Sequence, residues 1–147
     1  MPKIFRVDKD NKNLISSLIE NFIGSSDQLT SAVQIEKFLA DDRTLLFAAV
    51  KDDMALGYAV VYQFPSMHSS GYLAYLYDIE VMENQRRKGI GRLLMEYLLA
   101  HLKSIGVTEL WLGTATDNQP GQALFSSTGG IKSAETFNDF TFELNSL

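Results

Sequence analysis

The chain has no cysteine, and only two histidines, three prolines and one tryptophan among its 147 residues. Without cysteine there is no disulfide framework, no thiol nucleophile and no thiolate zinc site, and His68 and His101 alone are a poor supply for an imidazole metal centre. No apolar run approaches the ~20 residues that cross a bilayer, and the opening segment, MPKIFRVDKDNK, is charged rather than apolar. No metal, no membrane segment and a cytoplasmic location are therefore expected. Positive charge is not in excess either: 13 basic against 18 acidic side chains leave a net charge of −5. That balance argues against a nucleic-acid partner and favours a cationic one. Linkers, low-complexity tracts and repeats are missing too, and glycine and proline are scattered as punctuation.

What remains suffices for one domain over residues 1–147, since 46% of the residues are hydrophobic and 21% charged. At this size folding buries roughly two-thirds of the unfolded surface, enough for a core without cross-links.

Periodicity orders the elements. Ile4 to Val7 alternates and precedes a polar turn, which predicts an opening strand. Apolar residues at 14, 15, 18, 19, 22 and 23 predict an amphipathic helix stopped at Gly24, and a second, shorter helix follows Ser31. Leu45 to Val50 and Ala55 to Phe64 read as strands joined through Lys51-Asp52-Asp53, with Tyr72 to Val81 as the next strand. Ile90, Leu93, Leu94, Tyr97, Leu98, Leu102 and Ile105 then form one helical stripe closed by Gly106. ELWLGTA reads as a strand, Pro120 to Thr128 as a short helix with proline in its first turn, and ETFNDFTFEL as a closing strand. Hairpins first and strand–helix alternation later predict an α/β fold, with a mixed, mostly antiparallel sheet flanked by helices.

The most informative stretch runs from the third long strand into the helical stripe: YLYDIEV, then Met82 to Gln85, then Arg86-Arg87-Lys88-Gly89-Ile90-Gly91-Arg92. Glycines let successive N–H groups close around an anion, and the helix N-terminus adds its positive end. Arg86, Arg87, Lys88 and Arg92 add basic side chains suited to phosphate. Neither the dinucleotide fingerprint GxGxxG nor the P-loop GxxxxGK[ST] occurs, so nucleotide-kinase readings drop out. By strand alternation Asp78 and Glu80 share one face, and Tyr77, Ile79 and Val81 are expected on the other. Two carboxylates on one face suit a site that attracts a cation and takes its proton.

RRKGIG after a strand resembles the acetyl-CoA signature Q/R-x-x-G-x-G/A of the GNAT superfamily of N-acetyltransferases, and the order of elements is similar to that fold over essentially the whole chain. Within the superfamily, YLYDIEV with RRKGIG and the segment from Asp117 to Gly129 resembles the gentamicin-type aminoglycoside 3-N-acetyltransferases. The resemblance implies acetyl-CoA as acetyl donor, held at its pyrophosphate by the amides of Arg86 to Gly91, with Arg92 in reach of a phosphate. It further implies that Ile79 and Val81 lie beside the pantetheine arm, where the Val81 N–H polarises the thioester carbonyl, and that Asn118 and Phe125 make a second contact with the cofactor. Asp78, matching the Asp of a Tyr-Asp pair in the aminoglycoside enzymes, is the first choice for base and substrate anchor, and Glu80 the second.

Phe125 stands where many GNATs have a tyrosine that protonates the departing thiolate, a task phenylalanine cannot perform. The preferred acceptor is an aminoglycoside or similar small cationic amine. The alternatives are another small amine or a peptide N-terminus, or an acyl-CoA sensor that has lost catalysis. GNATs are often dimers, so a homodimer is within expectation. Glu135, Asp139 and Glu143 fit a polycation site and ordinary solvent-facing alternation equally well. Trp111 is expected in the core, His68 on the surface, and His101 on the flank of its helix without a catalytic role.

Overall fold

The computed structural model describes residues 1–23 and 28–146. Strands β1 (Lys3–Arg6), β2 (Thr44–Lys51), β3 (Met54–Pro65), β4 (Tyr72–Val81) and β5 (Val107–Trp111) form one sheet in the order β1-β2-β3-β4-β5. The first three pairings are antiparallel and β4 with β5 is parallel. The parallel pair follows from the connection, because helix α3 (Ile90–Ser104) intervenes as the crossover that a hairpin cannot supply. The β2–β3 hairpin closes through Asp52 and Asp53 at φ 52° and 62°, the left-handed pair that a two-residue turn of matching twist requires.

Helices cover both faces. Thr44 to Ala49 are all buried, so β2 is a central strand with two dry faces. On one face Leu45, Phe47, Val61 and Leu76 pack against Ile90, Leu94, Leu98 and Leu102 of α3. On the other, Leu46, Ala48 and Ala55 meet Ile15, Leu18 and Ile19 of α1 (Lys12–Leu18) and the π-helical turn Ile19–Ile23 that continues it, with Ile35 and Phe38 of α2 (Gln28–Ala40) at the margin. Phe47, fully buried, by itself stabilises the fold by roughly 1.5–3 kcal/mol through area removed from water.

Three sequence expectations are corrected. The first helix does not keep one register: its last turn widens to a π turn that keeps Ile19 buried. Its expected stop, Gly24, lies outside the described residues. The strand expected at ELWLGTA begins earlier, at Val107, and ends at Trp111, after which residues 112–118 leave the sheet for α4 (Gln119–Ser127). ETFNDFTFEL is not a strand. Alternation supplies the side chains for one, but a strand also needs a hydrogen-bonding neighbour, and among the described residues 131–143 join no sheet.

Candidate active site

The site is built on the second half of β4, and a one-residue irregularity sets its geometry. Val61 pairs with Leu76 and Val60 with Asp78, so Tyr77 is an extra residue in β4, a β-bulge. Ala74 and Leu76 belong to the core beneath α3, and strict alternation would send Asp78 to the same side. The bulge exchanges the faces: Ile79 and Val81 pack toward the α3 core, and Asp78 turns to the α1/α2 side. Tyr77, expected beside Ile79 and Val81, instead lines the same cavity as Asp78. The extra residue is the cause, since it leaves two successive side chains on one side of the sheet.

That cavity holds about 230 Å³ and is walled by Leu18, Phe22, Phe38, Tyr58, Tyr62 and Tyr77, with Asp78 as its carboxylate. The aromatic walls are ordered edge to face, Phe22 on Tyr58 at 4.9 Å and Tyr62 on Tyr77 at 5.7 Å between ring centroids. Tyr58 Oη donates to Asp78 Oδ2 at 2.5 Å. Burial, then this hydrogen bond, then the charges of Asp78 and Glu80 push the Tyr58 phenol far above its ordinary value. Tyr58 therefore stays a protonated donor near neutral pH, occupying one carboxylate oxygen and leaving Oδ1 for a cation. Glu80, opposite Tyr58 in the ladder, is exposed at the rim. Sequence reasoning missed Tyr58; its alternation within β3 is visible, but its partnership with Asp78 depends on the register across the hairpin.

The other edge of β4 is open. β5 pairs only with Tyr72 to Tyr75, so from Leu76 to Val81 no strand lies on that side among the described residues. Met82 N–H donates to the Leu56 carbonyl at 2.9 Å. Counting back along the antiparallel ladder, the N–H and C=O groups of Val81 and Ile79 point away from β3 into this gap. There the Val81 carbonyl accepts from Arg86 Nε at 3.1 Å. The gap is shaped for an extended amide-bearing chain, and Val81 presents it with an N–H donor.

The glycine loop follows directly. Arg87 and Gly89 adopt left-handed conformations at φ 63° and 82°, and α3 starts at Ile90 with Gly89 as its N-cap. The amides of the first turn of α3 have no intrahelical acceptor and so are available to an anion. A side-chain carbon at Gly89 would meet nothing within 4 Å, whereas one at Gly91 would stand 3.2 Å from Leu124 of α4. Gly89 serves the backbone turn and Gly91 the close approach of two helices. The basic side chains divide their duties. Arg86 is turned back onto Val81, Lys88 donates to Gln85 Oε1 at 3.3 Å, and Arg92 pairs with Glu96 at 2.9 Å in an exposed bridge. Arg87 is exposed at the turn.

The remaining candidates lie as follows. Asn118 caps α4, accepting from Gly121 N–H at 3.1 Å and donating to Thr114 at 2.8 Å. Phe125 is partly buried against the α3 core beside Leu124. Trp111, expected in the core, is 40% exposed and rests on Phe64 and Tyr75, because among the described residues no strand covers the outer edge of β5. His68 is exposed. His101 stacks edge-on to Phe47, and its buried Nε2 has no hydrogen-bond partner among the described residues. Glu135 and Asp139 lie on the exposed C-terminal segment and do not line the cavity. Among the described residues no metal-holding group of acidic or imidazole side chains is gathered, and no helix is long and apolar enough to cross a membrane.

Comparison with known proteins agrees with this geometry. Residues 11–129 match the Acetyltransferase (GNAT) family. Over 72 residues the chain is 36% identical to the ribosomal protein bS18 alanine N-acetyltransferase of Salmonella typhimurium strain LT2, a match that takes in 49% of this chain and 44% of that enzyme's length. The structure is similar to that of an aminoglycoside acetyltransferase from an uncultured soil metagenomic sample in complex with sisomicin, with a TM-score of 0.80 and 21% identity over 97% of each chain. It is also similar to a ribosomal-protein-alanine N-acetyltransferase from Brucella melitensis biovar Abortus 2308, with a TM-score of 0.74 and 17% identity over 97% of this chain and 99% of that one. At such identities the likeness is one of fold. A family match across most of the chain, joined to an open β4 edge and an anion loop at the head of α3, means that this chain belongs to the GNAT family of acetyltransferases.

Proposed function

We propose that the chain is an N-acetyltransferase that uses acetyl-CoA and acts on a primary amine seated in the aromatic cavity, with Asp78 as its anchor. The observation that carries this reading is the position of Asp78, which shares β4 with the open edge at Ile79 and Val81 but faces the cavity on the opposite side. The residues fit the donor. The amides from Arg87 to Gly91 and the head of α3 suit a diphosphate, the open edge of β4 suits the pantetheine arm, and Arg86 steadies the strand end between them. When bound, acetyl-CoA supplies an activated acetyl group as a thioester.

The chain's own contributions follow from the geometry. An alkylammonium, with lysine as a guide near 10.4, arrives protonated and must lose a proton before its nitrogen attacks. Asp78 Oδ1 holds the cation and accepts that proton directly or through one water, with Tyr58 fixing the carboxylate from Oδ2. The Val81 N–H faces the gap, where it stabilises charge developing on a carbonyl oxygen. Phe125 has no acidic proton, so a leaving thiolate would take its proton from water or from a neighbouring hydroxyl such as that of Ser126 rather than from this side chain.

The walls favour an amine carried by an apolar or neutral body, such as a peptide N-terminus, because one carboxylate stands among ten apolar and aromatic side chains. A second reading, an aminoglycoside or related polycationic amine, is supported by the acidic balance of −5. A thiol-release assay with acetyl-CoA across short peptides, spermidine, and kanamycin-like and gentamicin-like compounds decides between them. Acetylation of peptides supports the first reading and acetylation confined to aminoglycosides the second. No thiol release with any amine, together with a thermal shift on adding CoA, would reduce the chain to a CoA-binding module.

A further inference from the structure

We propose that Ser17 of α1 and Asn21 of the π turn that continues it are positioning residues for the acceptor amine: by gripping both backbone groups of Ala55 they hold the irregular stretch of β3 that keeps Tyr58 on Asp78. The inference rests on the reading of Asp78 as the amine's anchor and gives a task to two side chains that touch no reacting atom.

The sheet carries a second irregularity besides the one at Tyr77. Gly57 pairs with Ala49 and Ala55 with Val50, so Leu56 is an extra residue in β3. It too exchanges the faces. Leu56 belongs to the core beneath α3, and strict alternation would send Tyr58 to the same side; instead Ala59 and Val61 lie there and Tyr58 faces α1 and α2. Tyr58 and Asp78 therefore meet because each strand carries one supernumerary residue, the bulge in β3 matching the bulge in β4. Loss of either would put the hydroxyl and the carboxylate on opposite faces.

A bulge interrupts its ladder, and the interrupted backbone groups need other partners. The first helix supplies them. Ala55 N–H donates to Ser17 Oγ at 2.8 Å, and Asn21 Nδ2 donates to the Ala55 carbonyl at 2.9 Å. Two side chains one helical turn apart thus offer an acceptor and a donor to the N–H and C=O of a single residue, as a neighbouring strand would. Asn21 Nδ2 also reaches Ser17 Oγ at 3.4 Å, which ties the pair together. Both side chains are half-buried, so water competes weakly for these bonds.

The grip falls where the helix needs one. α1 has seven residues, too few to persist alone, and no side-chain cap at its start. Asn21 lies inside the π turn Ile19–Ile23, a distortion that recurs at functional sites, beside Phe22, whose ring meets Tyr58 edge to face at 4.9 Å. One turn of helix is therefore fixed to β3 twice, at Ala55 through Asn21 and at Tyr58 through Phe22. From Tyr58 the path passes directly to the carboxylate.

Two measurements on the full chain test this. Asn21→Leu keeps the bulk of the side chain and removes its donor. Leaving the Ala55 carbonyl unpaired should lower kcat/KM for the amine about tenfold. In a Tyr58→Phe background, where the carboxylate is already released, the same substitution should cost no more than about twofold. A merely structural loss would cost the same factor in both backgrounds, and that result would overturn the proposal. The second measurement needs no substrate. Burial, then the hydrogen bond to Asp78, hold the Tyr58 phenol far above its ordinary value. In Asn21→Leu it should ionise at lower pH, read by NMR on chains carrying isotope-labelled tyrosine, with Tyr58→Phe identifying the signal. An unchanged titration would also overturn the proposal. Where Asn21→Leu fails to fold, Ser17→Ala takes its place in both measurements. Asp78→Asn with full activity, beside a shifted Tyr58 titration, would sink the anchor reading instead: the grip would then hold Tyr58 but position no amine, and the proposal would fall with that reading.

Discussion

Replacing Asp78 with asparagine isolates the charge from the shape of the site. The amide is nearly isosteric, and its oxygen still accepts from Tyr58 Oη, the hydrogen bond that fixes the native side chain at 2.5 Å. Since the variant removes a partly buried negative charge without orphaning a donor, folding should be as stable as in the parent. The activity should not survive so well. A charge-assisted hydrogen bond to an ammonium accounts for about 1.5–3 kcal/mol, and each 1.4 kcal/mol is about tenfold. Loss of a positioned base adds a factor of about 100 to 10,000. Steady-state thiol release should therefore show kcat/KM for the amine reduced by at least ~100-fold, with KM for acetyl-CoA unchanged because the glycine loop is untouched. Raising the pH should restore part of the rate, as more of the amine then arrives neutral. Unchanged turnover at neutral pH would refute the assignment, and an equal loss in CoA affinity would mean that the substitution had disturbed the fold rather than the acceptor.

Gly89→Ala tests the loop. At φ 82° with no atom near the added carbon, the penalty is purely conformational, about 1–2 kcal/mol, or a fall in Tm of about 2–4 °C per kcal/mol. The KM for acetyl-CoA should rise while KM for the amine stays; a variant that melts and binds CoA like the parent would show that the left-handed turn is not needed. His101 gives a pH signature. Burial, and secondarily Arg6, hold its imidazole below the ordinary 6.5, so the unfolded chain takes up the proton before the native one. Stability should consequently fall as pH drops below about 6.5, across the region in which histidine titrates. His101→Phe should flatten that slope in denaturant midpoints measured from about pH 8 to 5, and an unaltered slope would place its origin elsewhere.

The signature loop was legible in the sequence because its determinants are local. Gly89 at the left-handed turn, Gly91 beneath α4 and the apolar stripe from Ile90 to Leu102 all lie within one strand–turn–helix unit, where backbone preference and periodicity decide the outcome. β4 was readable end to end for the same reason. The acceptor side was half legible. Asp78 and Glu80 do share a face, but which face depends on the bulge at Tyr77, and nothing in YLYDIEV marks one of its residues as supernumerary.

Cross-strand register is a property of two segments, as is the pairing of Tyr58 with Asp78, and it emerges only when β3 and β4 are laid together. The C-terminal segment makes the same distinction from the other direction. Its alternation supplies a strand's side chains, yet among the described residues it joins no sheet, and Phe137, Phe140 and Phe142 are left exposed. Sequence alone determined where the backbone can turn, coil and offer its amides. Tertiary structure decided which side chains meet, because hydrogen-bond ladders and packed faces are settled between segments distant in the chain.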